Sequence, residues 1–254
     1  MSRLDSTPVV IVTGAAGGIG RAAVRLLAAE GVIVVAVDRE EEQLQAAAAA
    51  AGGSVKTVVA DVASEAEVER YVSYAMSLGR GLDGVFNLAG FGGEFSNIGE
   101  ASTENYDEVM TVNAKSVWLS MKHTIQALVE TGGGTIVNTG SYLAIRGQGF
   151  TSAYAASKHA VVGMTKSVAL EYAQQNVRAH VICPASTDTP MIREMMAVVA
   201  EDPNEGERIT VERQPNKRLA DPEEPASVGV WLLLHAPTHL SGTVIPIDGG
   251  RSAG

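Results

Sequence analysis

Short apolar runs alternate with longer segments of helical periodicity along most of the chain. The runs are rich in β-branched residues, which favours strands over helices. Seven of them are predicted strands: Val9–Thr13, Val32–Val37, Val55–Val59, Leu82–Asn87, Thr135–Asn138, Arg178–Ile182 and Thr243–Ile247. Most of these runs are continuous, a pattern typical of parallel strands that are covered on both faces.

The longer segments between these runs are predicted helices: Ile19–Glu30, Glu40–Ala51, Ser64–Leu78, Asn105–Glu130, Ala153–Gln174 and Pro222–His235. Ser64 and Glu67 have capping-box spacing, and Asp221 places an N-cap ahead of a proline in the first helical position. Alternating strands and helices, joined by right-handed crossovers, predict an α/β fold. We expect a doubly wound parallel sheet of about seven strands with helices on both faces.

The alternation is interrupted once, at Thr187–Lys217. This segment contains three prolines and several charged residues, and it is long and irregular for a connection within a compact domain. Such connections are more often lids or binding loops than simple linkers. We therefore expect one domain over residues 1–254, with a substrate lid at 187–217.

Composition limits the classes of partner. Apolar residues make up 46% of the 254 residues but aromatic residues only 5%, so the core must be built from aliphatic side chains. The net charge of −10, without a cluster of Lys or Arg, argues against nucleic acid and anionic membranes as partners. Cys183 is the only cysteine, so no internal disulfide can form, which is typical of a reducing compartment. The first apolar stretch, Val9–Val12, is too short for a signal peptide or a membrane span. We expect a cytoplasmic protein.

A glycine-rich turn, Thr13–Gly20, lies between the first predicted strand and the first predicted helix. Glycines allow a sharp turn there and let a pyrophosphate approach the helix N-terminus, so Gly14, Gly18, Ile19 and Gly20 are candidate cofactor-binding residues. Such turns also occur for purely structural reasons. The next strand makes the dinucleotide interpretation stronger, because it leads into Asp38, whose carboxylate can accept a hydrogen bond from a ribose 2′-hydroxyl.

Asp38 also predicts which dinucleotide is bound. A 2′-phosphate about 4 Å from a carboxylate is repelled by about 4 kcal/mol per charge pair at an effective dielectric constant of about 20. Arg39 is adjacent and can reduce this repulsion, but NAD is favoured over NADP. The alternative role of Asp38 is a helix N-cap, and the two roles are compatible.

Tyr154 and Lys158 are four residues apart on a predicted helix, so their side chains share one face. A tyrosine with a pKa of about 10 is a poor base at neutral pH. A nearby ammonium, together with a positive nicotinamide ring, would have to lower that pKa by about 2–3 units. Ser141 follows a predicted strand, at the sheet edge where open α/β proteins bind ligands, and can donate to a substrate oxygen. Taken singly, each residue also has an ordinary structural explanation.

In combination, these motifs resemble the short-chain dehydrogenase/reductase family. The resemblance rests on Thr13–Gly20, on Asn87-Leu88-Ala89-Gly90, on Ser141 and on the Tyr154/Lys158 pair, and it continues to Ile247-Asp248-Gly249-Gly250. It implies a Rossmann-type oxidoreductase that transfers a hydride between NAD(H) and a secondary alcohol or ketone.

The resemblance also assigns roles to further residues. Asn113 would be the fourth catalytic residue, anchoring a water that relays protons to Lys158, which would also bind the nicotinamide ribose. The remaining implied cofactor contacts are Asp61 and Val62 at the adenine, Asn87, Ala89 and Gly90 along the cleft, and Pro184, Thr187 and Thr189 after the sixth strand, where the family binds the carboxamide. Two positions depart from the family pattern. Ala185 stands in place of a glycine, and Leu88 in place of an asparagine that stabilises the sheet.

Two other functions remain open at this point: a dinucleotide-sensing protein without turnover, and a lyase or epimerase on the same scaffold. No metal site is predicted, because Pro237 breaks the helix that would align His235 with His239. Cys183 is expected to be a small buried apolar side chain instead of a nucleophile.

The substrate pocket is expected between the lid and the ends of the strands. Met191, Met195 and Met196 are spaced as one helical face, and five large side chains follow the strands: Phe91, Phe95, Tyr142, Leu143 and Phe150. If they line the pocket, the substrate is a mainly apolar, cyclic secondary alcohol or its ketone; otherwise they only pack the lid against the domain. The resemblance further implies a homotetramer in which Asn105–Glu130 and Ala153–Gln174 pair with their symmetry mates.

Overall fold

The computed structural model describes residues 7–78, 81–200 and 202–253. Within these residues one parallel sheet is built from β1 (Val9–Thr13), β2 (Ile33–Asp38), β3 (Val55–Val59), β4 (Gly84–Asn87), β5 (Gly134–Thr139), β6 (Val177–Pro184) and β7 (Val244–Ile247). The strand order is β3-β2-β1-β4-β5-β6-β7. The predicted doubly wound sheet is therefore confirmed, and most strand ends differ from the predicted ones by only one or two residues.

Helices cover both faces of this sheet. The described residues form α1 (Gly18–Ala29), α2 (Glu41–Ala51), α3 (Glu65–Ser77), α4 (Thr103–Met110), α5 (Ser116–Glu130), α6 (Ser152–Glu171), α7 (Pro190–Val199), α8 (Pro203–Glu212) and α9 (Glu223–Leu234). The core contains α3, α5 and α6 on one face and α1, α2 and α9 on the other, with mainly Val, Leu, Ile and Ala side chains. In the described part of the chain, no helix combines the length and apolarity needed to cross a membrane.

The expectation of an irregular segment at Thr187–Lys217 is wrong in detail. Two helices, α7 and α8, occupy most of it, and residue 201 between them lies outside the described residues. Pro190 and Pro203 begin these helices. Proline fits the first helical position because its missing N–H has no partner there in any case. Pro190 and Pro203 thus mark helix starts, whereas the sequence pattern suggested that they interrupt regular structure.

The predicted helix Asn105–Glu130 is divided into three parts. Between α4 and α5 the chain forms a π-helical turn over Thr111–Lys115, with Asn113 at its centre. Such turns occur mostly as single insertions and often at functional sites. The periodicity of the sequence did not reveal the turn, because one wider turn changes the apolar pattern very little.

The capping predictions had different outcomes. The Ser64 side chain makes no capping hydrogen bond, and the Glu67 carboxylate accepts from the backbone N–H of Asp61 at 2.8 Å, so the capping box is wrong. Before α9, the Asp221 carboxylate accepts from the N–H of Glu223 at 2.8 Å, but the helix begins at Glu223 with Pro222 as its N-cap, one residue later than predicted.

Candidate active site

The glycine-rich turn meets two other loops at the carboxyl edge of the sheet. Gly14 has φ +66°, and a Cβ there would lie 2.6 Å from the backbone nitrogen of Ala89. A Cβ on Gly18 would lie 2.6 Å from Cγ2 of Thr189. The turn, the end of β4 and the start of α7 therefore enclose a cradle that side chains would fill. The Gly17 N-cap adds no side-chain bond at the start of α1, whose N–H groups can bind a pyrophosphate.

Asp38 ends β2 beside this cradle. Its Oδ2 accepts from the backbone N–H of Ala16 at 2.9 Å, and its Oδ1 accepts from the N–H of Glu40 at 3.2 Å. The carboxylate thus supports both the glycine-rich turn and the start of α2. The neighbouring Arg39 side chain is 73% exposed and lies 3.3 Å from Glu40.

The implied adenine contacts follow β3. Asp61 is exposed, and its Oδ1 accepts from the N–H of Ala63 at 2.9 Å. Val62 is partly buried beside it.

The side chain of Asn87 belongs to a buried hydrogen-bond network. Its Nδ2 donates to Oδ1 of Asn138 at 2.8 Å, and its Oδ1 accepts from the hydroxyl of Ser120 at 2.7 Å. Asn138 continues the network to Thr165 at 2.9 Å. Because both polar atoms of the Asn87 side chain are bonded within the protein, Asn87 can contact a cofactor only through its backbone. The hydrogen bond between Asn87 and Asn138 also joins β4 to β5, although Leu88 stands where the family has an asparagine.

The segment after β6 lies opposite the glycine-rich turn. Pro184 ends the strand, and Thr187 is buried and bridges to Ala220. Thr189 is the N-cap of α7 and contacts Gly18, as described above. The Ala185 N–H donates to the carbonyl of Ile247 at 3.1 Å, so the backbone there continues the β7 contact without a glycine.

Ser141, Tyr154 and Lys158 come together at the end of β5. Ser141 caps the short 3-10 turn Tyr142–Ala144, and its hydroxyl forms a hydrogen bond with the Tyr154 phenol. Lys158 Nζ donates to the carbonyl of Thr139 at 3.0 Å and lies 5.6 Å from the centroid of the Tyr154 ring. The three side chains expected at the chemical centre are therefore neighbours.

Asn113 is fully buried next to this group. Its amide makes two hydrogen bonds with the backbone of Phe91, at 2.9 and 2.8 Å, and donates to the hydroxyl of Ser157 at 3.3 Å. A Cβ on Gly90 would lie 3.0 Å from Asn113 Oδ1 and 3.4 Å from Lys158 Nζ. Ser157 was not predicted as a site residue. Its position between Tyr154 and Lys158 on the same helix was the only sequence feature that pointed to it.

The protein groups around Tyr154 do not by themselves lower the pKa of its phenol. Burial raises the pKa of Tyr154 to about 12, and the hydrogen bond from Ser141 opposes this only in part. Burial also lowers the pKa of Lys158 to about 8. Desolvation by burial is the largest cause of the raised Tyr154 pKa, and the phenol is protonated at neutral pH.

Cys183 has its predicted role, and one further cluster of side chains was not predicted. Cys183 is fully buried and burial raises the pKa of its thiol to about 11, which confirms that it is a small buried side chain. Glu65, Glu69 and His123 place their ligand atoms within 4.8 Å of one another, but the Lys122 ammonium also binds Glu65. An ion-pair cluster accounts for this exposed group.

A cavity of about 510 Å³ lies between the expected lid and the loops after β4 and β5. Phe95 and Phe150 line it as stacked rings, with centroids 5.1 Å apart. Among the other expected pocket residues, Leu143 and Met196 are buried, at 4% exposure each, whereas Met191 is 39% exposed. Met191 and Met196 therefore do not share one environment.

Comparison with known proteins identifies the family. A family model described as enoyl-(acyl carrier protein) reductase matches residues 14–252. Levodione reductase from Leifsonia aquatica is 38% identical over 251 residues, covering 96% of this chain and 94% of the relative. The chain belongs to the short-chain dehydrogenase/reductase family. Cyclohexanol dehydrogenase from an Acinetobacter species is 35% identical, covering 100% of this chain and 98% of its own.

Solved structures agree with this membership. The crystal structure of levodione reductase has a TM-score of 0.94 at 37% identity and covers 97% of this chain and 98% of its own. An actinorhodin polyketide ketoreductase with NADPH has a TM-score of 0.92 at 29% identity, with coverage of 99% and 98%. The protein is therefore an oxidoreductase that acts on alcohol or ketone groups, in a family that uses nicotinamide cofactors.

Proposed function

We propose that this protein is an NAD-dependent dehydrogenase that interconverts a cyclic secondary alcohol and its ketone. The observation that supports this most directly is the meeting of Ser141, Tyr154 and Lys158 at the carboxyl edge of β5, opposite the glycine cradle. When bound, the nicotinamide cofactor supplies or accepts the hydride.

The proposed residue roles follow from protonation and hydrogen bonding. Tyr154 is protonated at neutral pH and gives its proton to the ketone oxygen during reduction. Ser141 donates a hydrogen bond to the same oxygen, and Lys158 places a positive charge beside the phenol. Asn113, fixed by the backbone of Phe91, holds the water that returns a proton toward Lys158.

The proposed NAD site extends along the carboxyl edge of the sheet. The pyrophosphate would be held by Gly14, Gly18, Ile19 and Gly20, and the adenine by Asp61 and Val62. The nicotinamide half would be held by Asn87, Ala89, Gly90, Tyr154, Lys158, Pro184, Thr187 and Thr189. Asp38 binds the adenosine ribose, with Arg39 exposed beside it. Since Asp38 is already fixed by Ala16, it cannot easily turn away from a 2′-phosphate, and this supports NAD over NADP.

A cyclic, mainly apolar substrate is supported by the walls of the cavity and by the relatives. The stacked rings of Phe95 and Phe150 and the side chain of Val198 offer flat apolar surfaces. A relative that matches almost the full length of both chains is named for cyclohexanol. We further propose that Thr187–Lys217, with α7 and α8, is the lid that closes on this substrate.

We also propose a cytoplasmic homotetramer. Trp118 on α5 and Leu170 on α6 are 48% and 83% exposed, respectively. Large apolar side chains on the two helices expected to pair with symmetry mates support burial in an assembly.

The deciding experiment is absorbance at the reduced-nicotinamide band when NAD is mixed with a panel of cyclic secondary alcohols. We expect reduction of NAD with cyclohexanol-type substrates. Tight NAD binding without any absorbance change across the panel would favour the sensing protein. Conversion of a substrate without net change in NAD would favour the lyase or epimerase.

A further inference from the structure

The cavity beside the lid combines apolar walls with two cationic side chains. Besides Phe95, Phe150 and Val198, its lining includes Gln148, Arg213 and Arg251. No described residue that lines it is acidic. In a chain of net charge −10, two arginines on one cavity without an acidic group among its described lining residues are an unusual combination.

Most of the other described arginines pair with acidic groups. Ion pairs with carboxylates are formed by Arg25, Arg39, Arg70, Arg193, Arg208 and Arg218, whereas Arg21 and Arg146 donate to backbone carbonyls. Among the described residues, neither Arg213 nor Arg251 has a carboxylate partner. Arg251 instead donates to Oε1 of Gln148 at 3.3 Å, and its guanidinium lies 4.1 Å from the centroid of the Tyr142 ring.

Tyr142 connects this cavity to the chemical centre. It directly follows Ser141, its hydroxyl donates to Oε1 of Gln148, and it lies close enough to Tyr154 to affect the pKa of that phenol. Both Arg213 and Arg251 act on Tyr142 electrostatically. Tyr142 is therefore within electrostatic range of both guanidinium groups and of the reacting phenol.

The aromatic wall is held in a strained backbone conformation. Phe150 has φ +66°, a left-handed value that is costly for a residue with a side chain, and its carbonyl accepts from Ser96 N–H at 3.0 Å. This conformation presents the Phe150 ring to Phe95. Strain of this kind persists at sites where the surrounding structure fixes it, which is common at binding sites.

We propose that Arg213 and Arg251 form a subsite for a carboxylate that the substrate carries on the side away from the reacting carbon. A guanidinium matches a carboxylate geometrically and can bind it through two parallel hydrogen bonds. Gln148 orients Arg251, and the rings of Phe95 and Phe150 contact the apolar body. The inference rests on the proposed function and narrows its substrates to cyclic oxo acids and the corresponding hydroxy acids.

Kinetics with matched substrates test this assignment. With NADH present, 4-oxocyclohexanecarboxylate is compared with its methyl ester, which removes the charge and keeps the ring. We expect wild-type kcat/KM to favour the acid at least tenfold, mainly through KM. In Arg213→Gln and Arg251→Gln the ratio falls toward one, whereas Arg213→Lys keeps part of it. Arg25→Gln, at an exposed arginine on α1 outside the proposed lid, is the matched control and keeps the wild-type ratio.

Calorimetry separates failure of the subsite from failure of the proposed function. Cyclohexanecarboxylate, which cannot be reduced, is titrated into each protein saturated with NAD. Binding that weakens at least tenfold in Arg251→Gln but not in Arg25→Gln supports the subsite, even if no ketone is turned over. Unmeasurable binding to wild type, or equal binding in all variants, overturns it. A preference for neutral 1,4-cyclohexanedione over the acid also overturns it.

Discussion

Gly18 lies directly against Thr189, so closely that a Cβ on the glycine would lie 2.6 Å from the threonine Cγ2. The two residues are far apart in the sequence and belong to the first and last parts of the proposed cofactor site. Their contact joins the glycine-rich turn to the start of α7. The proposed lid therefore begins at the phosphate cradle itself.

This contact predicts a selective effect of Gly18→Ala. The new methyl group collides with Thr189, so we expect NAD to bind at least tenfold more weakly while the melting temperature changes by only a few degrees. The double variant Gly18→Ala/Thr189→Ser lacks the Cγ2 and should recover part of the affinity. Gly99→Ala is the control, because a Cβ there meets no atom within 4 Å. Unchanged NAD affinity in Gly18→Ala would show that this contact does not shape the site.

Tyr154→Phe is expected to abolish turnover and leave NAD affinity within a few fold. The ring keeps its packing, but the proton that goes to the ketone oxygen is lost. Lys158→Ala should reduce both turnover and NAD affinity, because the ammonium is proposed to serve the phenol and the ribose. Steady-state kinetics and NAD titrations measure the two effects. Turnover of Tyr154→Phe within tenfold of wild type would contradict the assignment.

Asp38→Ala is expected to improve the use of NADP and to weaken binding of NAD. The repulsion of a 2′-phosphate and the hydrogen bond to the ribose are lost together. The measurement is the ratio of kcat/KM with NAD to kcat/KM with NADP, determined for wild type and for the variant. The ratio has to be large in wild type, since equal efficiency with both cofactors would already refute the role given to Asp38.

Hydrogen exchange tests the lid. In α7 and α8 few side chains are buried, and Val198 is 65% exposed, so we expect Thr187–Lys217 to exchange fast in the free protein. Binding of NAD and substrate should slow this exchange. The buried strands β1 and β4 provide the reference, with slow exchange in both states. Equal protection of the segment with and without ligands would rule out a closing lid.

His180 predicts a loss of stability in mild acid. The side chain is fully buried, Nδ1 lies 2.8 Å from the Thr243 hydroxyl, and burial lowers the pKa of the imidazole from 6.5 to about 4. Between these values the unfolded chain binds a proton that the folded protein excludes. The free energy of unfolding therefore falls as pH decreases from 6.5 toward 4, by about 2 kcal/mol at pH 5.

Urea unfolding at pH 7 and pH 5 measures this effect. We expect His180→Gln to lose less stability between the two pH values than wild type does, while His239→Gln, at an exposed position, behaves as wild type. If all three proteins lose the same free energy, the acid sensitivity originates elsewhere.

The sequence by itself determined the sheet and much of the candidate site. Continuous β-branched runs have few alternatives to buried parallel strands, which is why β1 matches its predicted limits. The partly exposed edge strand β3 matches its limits as well. Gly14, Tyr154 and Lys158 were recognisable because their roles depend on local spacing within one turn or one helix. The same local logic explains the helix start after Asp221.

Only the tertiary structure decided features that depend on residues distant in the sequence. The side-chain amide of Asn87 forms hydrogen bonds with Ser120 and Asn138. Asn113 lies in a π-helical turn, and its side chain accepts a hydrogen bond from the backbone of Phe91. The pKa of Tyr154 rises because packing removes water from the phenol, an effect that no spacing encodes. Arg213 and Arg251 meet only because the end of α8 and the C-terminal loop fold onto the same cavity. Spacing along the chain specifies local geometry, whereas desolvation and charge compensation depend on which distant segments pack together.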